Sequence, residues 1–117
     1  MIKIGSGYYL SNPMPYEDWI GGNKIEGVIF SGYFFIDERR VAWILKSFEL
    51  KNLPETVFFS RDAFMTSNRI GIYKSEGDLL TITLDAESAF VVKEDFKIVS
   101  PDVITRNENI YTYKDWD

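Results

Sequence analysis

The 117-residue chain contains no cysteine and no histidine. The first absence excludes disulfides and thiolate metal centres. The second removes Ser-His-Asp and Cys-His nucleophile activation, imidazole general-base chemistry and almost every zinc site, so neither a cofactor nor a metal is expected. No apolar stretch approaches the ~18 residues that suggest a membrane span. The N-terminal MIKIGSGYYL has no basic region leading into a long apolar run, so it does not read as a signal peptide. A cytoplasmic protein without membrane contact is therefore expected. Linkers rich in Pro, Gly or Ser and low-complexity tracts are also missing, which predicts a single domain over residues 1–117.

What the chain has in excess is aromatic surface: three Trp, seven Tyr and nine Phe. Such side chains fill cores and dominate protein interfaces alike. The net charge of −5 is unevenly spread. Residues 1–74 hold eight acids and nine bases, whereas residues 75–117 hold ten acids and four bases. An acidic surface repels phosphate backbones and attracts basic partners, so no nucleic-acid partner is expected.

The pattern along the chain predicts an α+β fold, mainly antiparallel sheet, with one helix near residues 37–50. Ile2 to Leu10 reads as a strand. Asn12-Pro13, Pro15 and Gly21-Gly22 mark the following stretch as a loop, with room for a helical turn. Ile25 to Ile36 reads as a hairpin broken at Ser31-Gly32. Asp37 then stands where an N-cap would, and Val41, Ile44, Leu45 and Phe48 follow helical spacing. A competing reading makes Val41, Trp43 and Leu45 alternating strand positions, which leads to an all-β alternative. Thr56 to Ser60 reads as a strand, although 55–66 also suits a helix. Beyond it, Arg69–Lys74, Leu79–Leu84, Ser88–Lys93, Phe96–Val99 and Ile110–Tyr113 read as strands, with LTITL at 80–84 the clearest. Acids gather at the expected turns: Glu76, Asp78, Asp85, Glu87, Glu94 and Asp95.

Two segments repeat a pattern. Tyr16-Glu17-Asp18-Trp19 and Tyr113-Lys114-Asp115-Trp116 both read Tyr-x-Asp-Trp. Each sets rigid aromatics beside an acid, the composition of an interface anchor, although a Trp also serves to pin a loop to a core. Catalytic motifs are weaker. Gly5-Ser6-Gly7 is too short for a phosphate cradle, no Gly-x-Ser-x-Gly elbow occurs, and no calcium-loop alternation is present. Paired carboxylates leave a glycoside hydrolase as an alternative, with Glu17 or Asp18 facing an acid of the C-terminal third. A structural or oligomer-forming β protein, such as a phage component, is another, and self-association stays open.

Stretches such as EDWIGGNKIEG, followed by YFFIDERRVAWI, in a short, acidic, aromatic-rich chain resemble the immunity proteins of bacterial toxin systems. Among these are the partners of contact-dependent growth inhibition toxins and of colicin-like nucleases. The resemblance lies in the style of the whole chain and carries over no residue positions. It implies a non-enzymatic inhibitor that binds one cognate toxin domain with a basic active site. The expected partner-binding residues are then Tyr16, Glu17, Asp18, Trp19, Glu76, Asp78, Asp85, Glu87, Glu94, Asp95, Tyr113, Asp115 and Trp116.

Overall fold

One strand is too long to be shared by a single neighbour on each side, and the architecture follows from how its length is divided. The structure, a computed structural model, describes residues 1–84 and 92–116. Its strands are β1 Gly7–Ser11, β2 Met14–Ile20, β3 Asn23–Phe35, β4 Arg40–Glu49, β5 Ile70–Glu76, β6 Leu79–Leu84, β7 Val92–Ser100, β8 Val103–Arg106 and β9 Asn109–Asp115. A 3-10 turn at Leu50–Asn52 and one short helix, α1 Arg61–Thr66, lie between β4 and β5. From β3 to β9 each strand pairs antiparallel with the next. β1 then pairs with β9 on one side and with β3 on the other, which closes an eight-stranded up-and-down barrel.

The long strand is β3. Its C-terminal part meets β1 (Tyr9↔Tyr33, Leu10↔Gly32), while residues 23–29 meet β2 instead. β1 and β2 thus lie end to end along one flank of β3, with the register slipping by one residue across Asn12-Pro13. The Asn12 backbone N–H and its side-chain oxygen complete the pairing to Ile110, after which β9 stops and β2 continues alone. β2 and the N-terminal part of β3 therefore form a ribbon that extends past the barrel. Gly21 and Gly22, with φ of 59° and 83°, make the two-residue turn that only glycine adopts without strain.

The all-β alternative is the better description, and the helix expected near 37–50 is a strand. Residues 40–49 pair with β3 over their whole length (Phe35↔Val41 to Gly27↔Glu49). The helical spacing arises because β4 is covered on both faces. Val41 and Trp43 point into the barrel, while Ala42, Ile44 and Phe48 join a second core outside it, so both parities are apolar. Asp37 does make the hydrogen bonds expected of a cap. Its carboxylate accepts from Arg39 N at 2.9 Å and Arg40 N at 2.8 Å, but these turn the β3–β4 hairpin rather than start a helix.

Other expectations shift as well. Ser31-Gly32 does not break the chain, since β3 runs straight through it. Residues 12–22 hold an edge strand rather than a loop. Thr56–Ser60 is not a strand, and the helix of this region begins only after Ser60, whose Oγ accepts from Ala63 N at 3.1 Å. The strand expected from Ser88 falls largely outside the described residues.

Two cores result. Inside the barrel, rings meet edge to face: Phe35 with Tyr73 at 4.8 Å, Tyr33 with Phe96 at 5.3 Å, and Tyr9 with Phe35 at 5.5 Å between centroids. Outside it, residues 57–64 fold over the outer face of β1, β3 and β4, where Phe59 and Phe64 bury against Tyr8, Phe34 and Ala42. Among the described residues no helix is long and apolar enough to cross a membrane.

Candidate functional site

The barrel has unlike ends. At one end Ile2 is buried, the Tyr9 hydroxyl donates to the Pro101 carbonyl at 2.6 Å, and the Tyr73 hydroxyl donates to the Asp37 carbonyl at 2.5 Å. This end is shut. The other end carries the β2–β3 ribbon, and its inward positions change from apolar to polar.

The two Tyr-x-Asp-Trp segments have separate fates. Trp116 lies in the outer core, its ring 4.8 Å from that of Phe34, its Nε1 donating to the Phe59 carbonyl at 2.8 Å, with the Arg61 guanidinium 4.8 Å from its centroid. Tyr113 packs against Tyr9 at 5.3 Å and shares a hydrogen bond with Ser6 at 2.5 Å, and Asp115 ends β9. This copy is structural in its surroundings. In the first copy, Tyr16 lies over Gly27, Asp18 accepts from the Trp19 backbone N–H at 2.8 Å, and Trp19 is 65% exposed. The pleat explains Tyr16: opposite Gly27, the missing Cβ leaves room for its ring.

The expected acids are not gathered into one patch. Glu76 and Asp78 flank the β5–β6 turn at the shut end, whereas Asp85 and Glu87 lie outside the described residues. Glu94 and Asp95 are not at a turn but side by side within β7, and the pleat sends them to opposite faces. Asp95 points outward and accepts from Thr81 Oγ1 at 3.0 Å. Glu94 points into the barrel.

Two features remain as candidate sites. The first is the ribbon. Among the described residues β2 pairs with β3 alone, so its other edge is unpaired. Trp19 and Ile20, at 65% and 60% exposure, stand next to the turn, and Glu17 and Glu26 bracket Lys24 at 3.1 and 3.2 Å on the outer face. With Asp18 included, the ribbon carries three acids and one base over residues 14–29.

The second lies, among the described residues, at the barrel end that carries the ribbon. A cavity of about 370 Å³ there is walled by Tyr33, Trp43, Glu94, Arg106, Asn109 and Tyr111 on its polar side, and by Leu45, Leu84 and Val92 on its apolar side. Tyr33 donates to Glu94 Oε1 at 2.9 Å, and Arg106 Nη1 meets Glu94 Oε2 at 3.1 Å. Burial and then the Glu94 charge push the Tyr33 phenol far above its usual range, and burial likewise raises Tyr111. The Trp43 indole Nε1 is buried without a hydrogen-bond partner.

None of Tyr33, Trp43, Arg106 and Asn109 was among the expected site residues. A signal was present in the strands that face them. Val92, Glu94, Phe96 and Ile98 share one face of β7, and Ile104 and Arg106 one face of β8, so a charge breaks an apolar parity twice. Compared with protein-family models, with curated proteins and with solved structures, the chain matches none.

Proposed function

We propose that this protein is a non-enzymatic inhibitor of the immunity type, which binds and neutralises a cognate toxin domain in the cytoplasm by seating the β2–β3 ribbon on it. The observation that carries this reading is the unpaired edge of β2 beside an exposed Trp19 and Ile20. An edge strand offers backbone donors and acceptors to an incoming chain, and side chains of alternate parity then supply specificity. A large aromatic at a ribbon tip is the usual type of interface anchor.

The charge assigned to recognition narrows accordingly. Glu17, Asp18 and Glu26 travel with the anchor, whereas Glu76 and Asp78 sit at the other end of the barrel. Three acids against one base favour a basic partner surface, such as the phosphate-holding cleft of a nuclease toxin, and speed its capture at low ionic strength. Pro13 and Pro15, which lack N–H donors, and the acids of β2 discourage indiscriminate edge pairing, so a partner has to match the ribbon.

The test is co-purification with the product of the neighbouring gene, at low and high salt. The expected result is retention by the native chain that weakens with salt, loss of at least about tenfold in affinity for Trp19→Ala, in line with an interface anchor, and slower capture at low salt for Glu17→Lys/Asp18→Lys, with the difference from the native chain shrinking at high salt. Retention unchanged in the Trp19→Ala variant and after charge reversal on β2 would remove the ribbon from recognition.

A further inference from the structure

The outward edge of β2 is chemically one-sided. In an antiparallel pair the backbone groups of successive residues turn alternately toward the neighbouring strand and away from it. The Ser31 N–H donates to the Ser11 hydroxyl on the flank of β3 that β1 and β2 share, so the odd-numbered residues of β3 face that flank. Their partners Met14, Tyr16, Asp18 and Ile20 complete the ladder, and Pro15, Glu17 and Trp19 turn their backbone groups outward. Pro15 has no N–H to offer, and the Trp19 N–H is already held by Asp18 Oδ1 at 2.8 Å. Of these outward residues only Glu17 keeps a donor. All their carbonyls remain as acceptors without a partner among the described residues.

The geometry points to an arginine-bearing loop of a protein partner, rather than a β-strand, as what this edge receives. An added strand presents N–H and C=O groups in turn, and a backbone carbonyl left buried without a donor is costly. At the β2 edge most of the strand's carbonyls would be left that way. A second copy of the chain is a poor occupant for the same reason, since it would set its own row of carbonyls against this one. A guanidinium carries donors and no acceptor, so it loses nothing at a donor-poor edge. Charge and ring complement it too. The Asp18 carboxylate is held at the edge by its bond to Trp19 N, and Glu17 and Glu26 share the single Lys24 at 3.1 and 3.2 Å. The Trp19 ring, 65% exposed, offers a face on which a guanidinium stacks. Lysine meets the same acceptors without the planar fork, so it fits less well. The inference rests on the ribbon being the recognition surface, and it names the side chain that the ribbon reads.

The probe is a capped peptide of alternating glycine and arginine, followed in the proton–nitrogen spectrum of the native chain. A glycine–lysine peptide and an uncharged threonine–valine peptide of the same length serve as comparisons. The arginine peptide is expected to move the backbone amide signals of Glu17 and Trp19 and, of the three indole N–H signals, that of Trp19. It should do so saturably and more tightly than the lysine peptide, while the threonine–valine peptide leaves these signals in place. Asp18→Asn keeps an oxygen for the Trp19 N–H and removes the charge, so affinity for the arginine peptide falls about tenfold, the scale of a hydrogen bond to a charged group. Pro15→Val/Asp18→Ala returns two donors to the edge and reverses the preference toward the threonine–valine peptide, with circular dichroism unaltered. The inference is overturned if the threonine–valine peptide binds the native edge, or if the lysine peptide binds as tightly as the arginine one. It is equally overturned if the arginine peptide moves Glu76 and Asp78 as strongly as β2, if Asp18→Asn leaves affinity unchanged, or if the double variant keeps the native preference. These measurements use the chain alone, so their failure strikes the edge chemistry. Failure to co-purify with the neighbouring gene's product strikes the partner reading and leaves the peptide results standing.

Discussion

The two Tyr-x-Asp-Trp segments allow one experiment in which the same substitution in a shared pattern has opposite expected results. Trp116→Ala removes a ring that touches Tyr8, Phe34 and Phe64, and with it the Nε1 hydrogen bond to the Phe59 carbonyl. Truncating a buried Phe or Trp costs about 3–5 kcal/mol. Trp116 keeps some solvent contact, so the lower figure applies, about 3 kcal/mol, of which about 1 kcal/mol belongs to the hydrogen bond. With a urea slope of about 2 kcal/mol/M, the unfolding midpoint falls by about 1.5 M. Trp116→Phe, which retains most of the packing, recovers all but about 1 kcal/mol. Trp19→Ala removes a side chain that contributes almost no burial, and its stability should lie within about 0.5 kcal/mol of the native chain. Equilibrium urea unfolding followed by far-ultraviolet circular dichroism measures all three without relying on the tryptophans themselves. Equal midpoints for Trp116→Ala and the native chain, or a loss above about 1 kcal/mol for Trp19→Ala, would refute the division into structural and surface copies.

Gly27→Ala places a Cβ 2.5 Å from the Tyr16 ring and against the Phe48 carbonyl, so it should cost about 1–3 kcal/mol in the same urea assay, and a neutral result would mean that Tyr16 does not rest there. Asp37 is held at a pKa of about 2 by the N–H groups of Arg39 and Arg40 and by the Arg40 guanidinium. Because the folded value is depressed, its contribution is present above the unfolded value of about 3.9 and is lost as pH falls from there through about 2. Asp37→Asn should therefore flatten the acid limb of stability against pH, whereas an unchanged slope would exclude Asp37 as its source. Burial pushes the Tyr73 phenol up to about 12, with the charges of Asp37 and Glu38 adding to it, and raises Tyr33 further still. Both contributions are complete below the unfolded value of about 10 and vanish as pH rises through the folded ones. Tyrosinate absorbance should thus show both phenols still protonated near pH 11 in the folded chain, with late titration coinciding with unfolding; early, reversible titration of every tyrosine would contradict the packing around them.

How far the fold could be read from residues depends on which neighbours decided each element. Leu79–Leu84 was legible in full, because a strand with one buried and one open face alternates as LLTITL does. β4 was not, since a second core covers its outer face and erases the alternation. Ser31-Gly32 looked like a turn because those residue types usually serve one. In the barrel they serve packing: a Cβ on Gly32 would stand 2.5 Å from Phe59, so glycine lets the outer layer approach, and the Ser31 N–H donates to the Ser11 hydroxyl at 2.9 Å. Pro13, Pro15 and the paired glycines suggested a loop, yet proline is tolerated in an edge strand and the glycines form only its turn. The closure of β1 on β3 has no local signature at all. The candidate sites divide the same way. Trp19 was named from its composition, while the barrel-mouth cluster joins residues as far apart as Tyr33 and Arg106 and needs the strand register to assemble.

The outer core links stability to the proposed recognition. A two-stranded ribbon alone is marginal in water. This one is stiffened because β4 continues beside it to Glu49 and because Val28, Phe30 and Phe48, on its outer face, pack beneath Val57 and its neighbours. The segment between β4 and β5, which sequence alone left without a task, therefore holds the ribbon at a fixed angle to the barrel and lowers the ordering cost of binding. The inner face of the same ribbon, through Met14, borders the barrel mouth. The ring contacts of Phe35 with Tyr9 and Tyr73 lie at the barrel end away from the ribbon, so on the proposed reading a partner seated on β2 leaves them untouched.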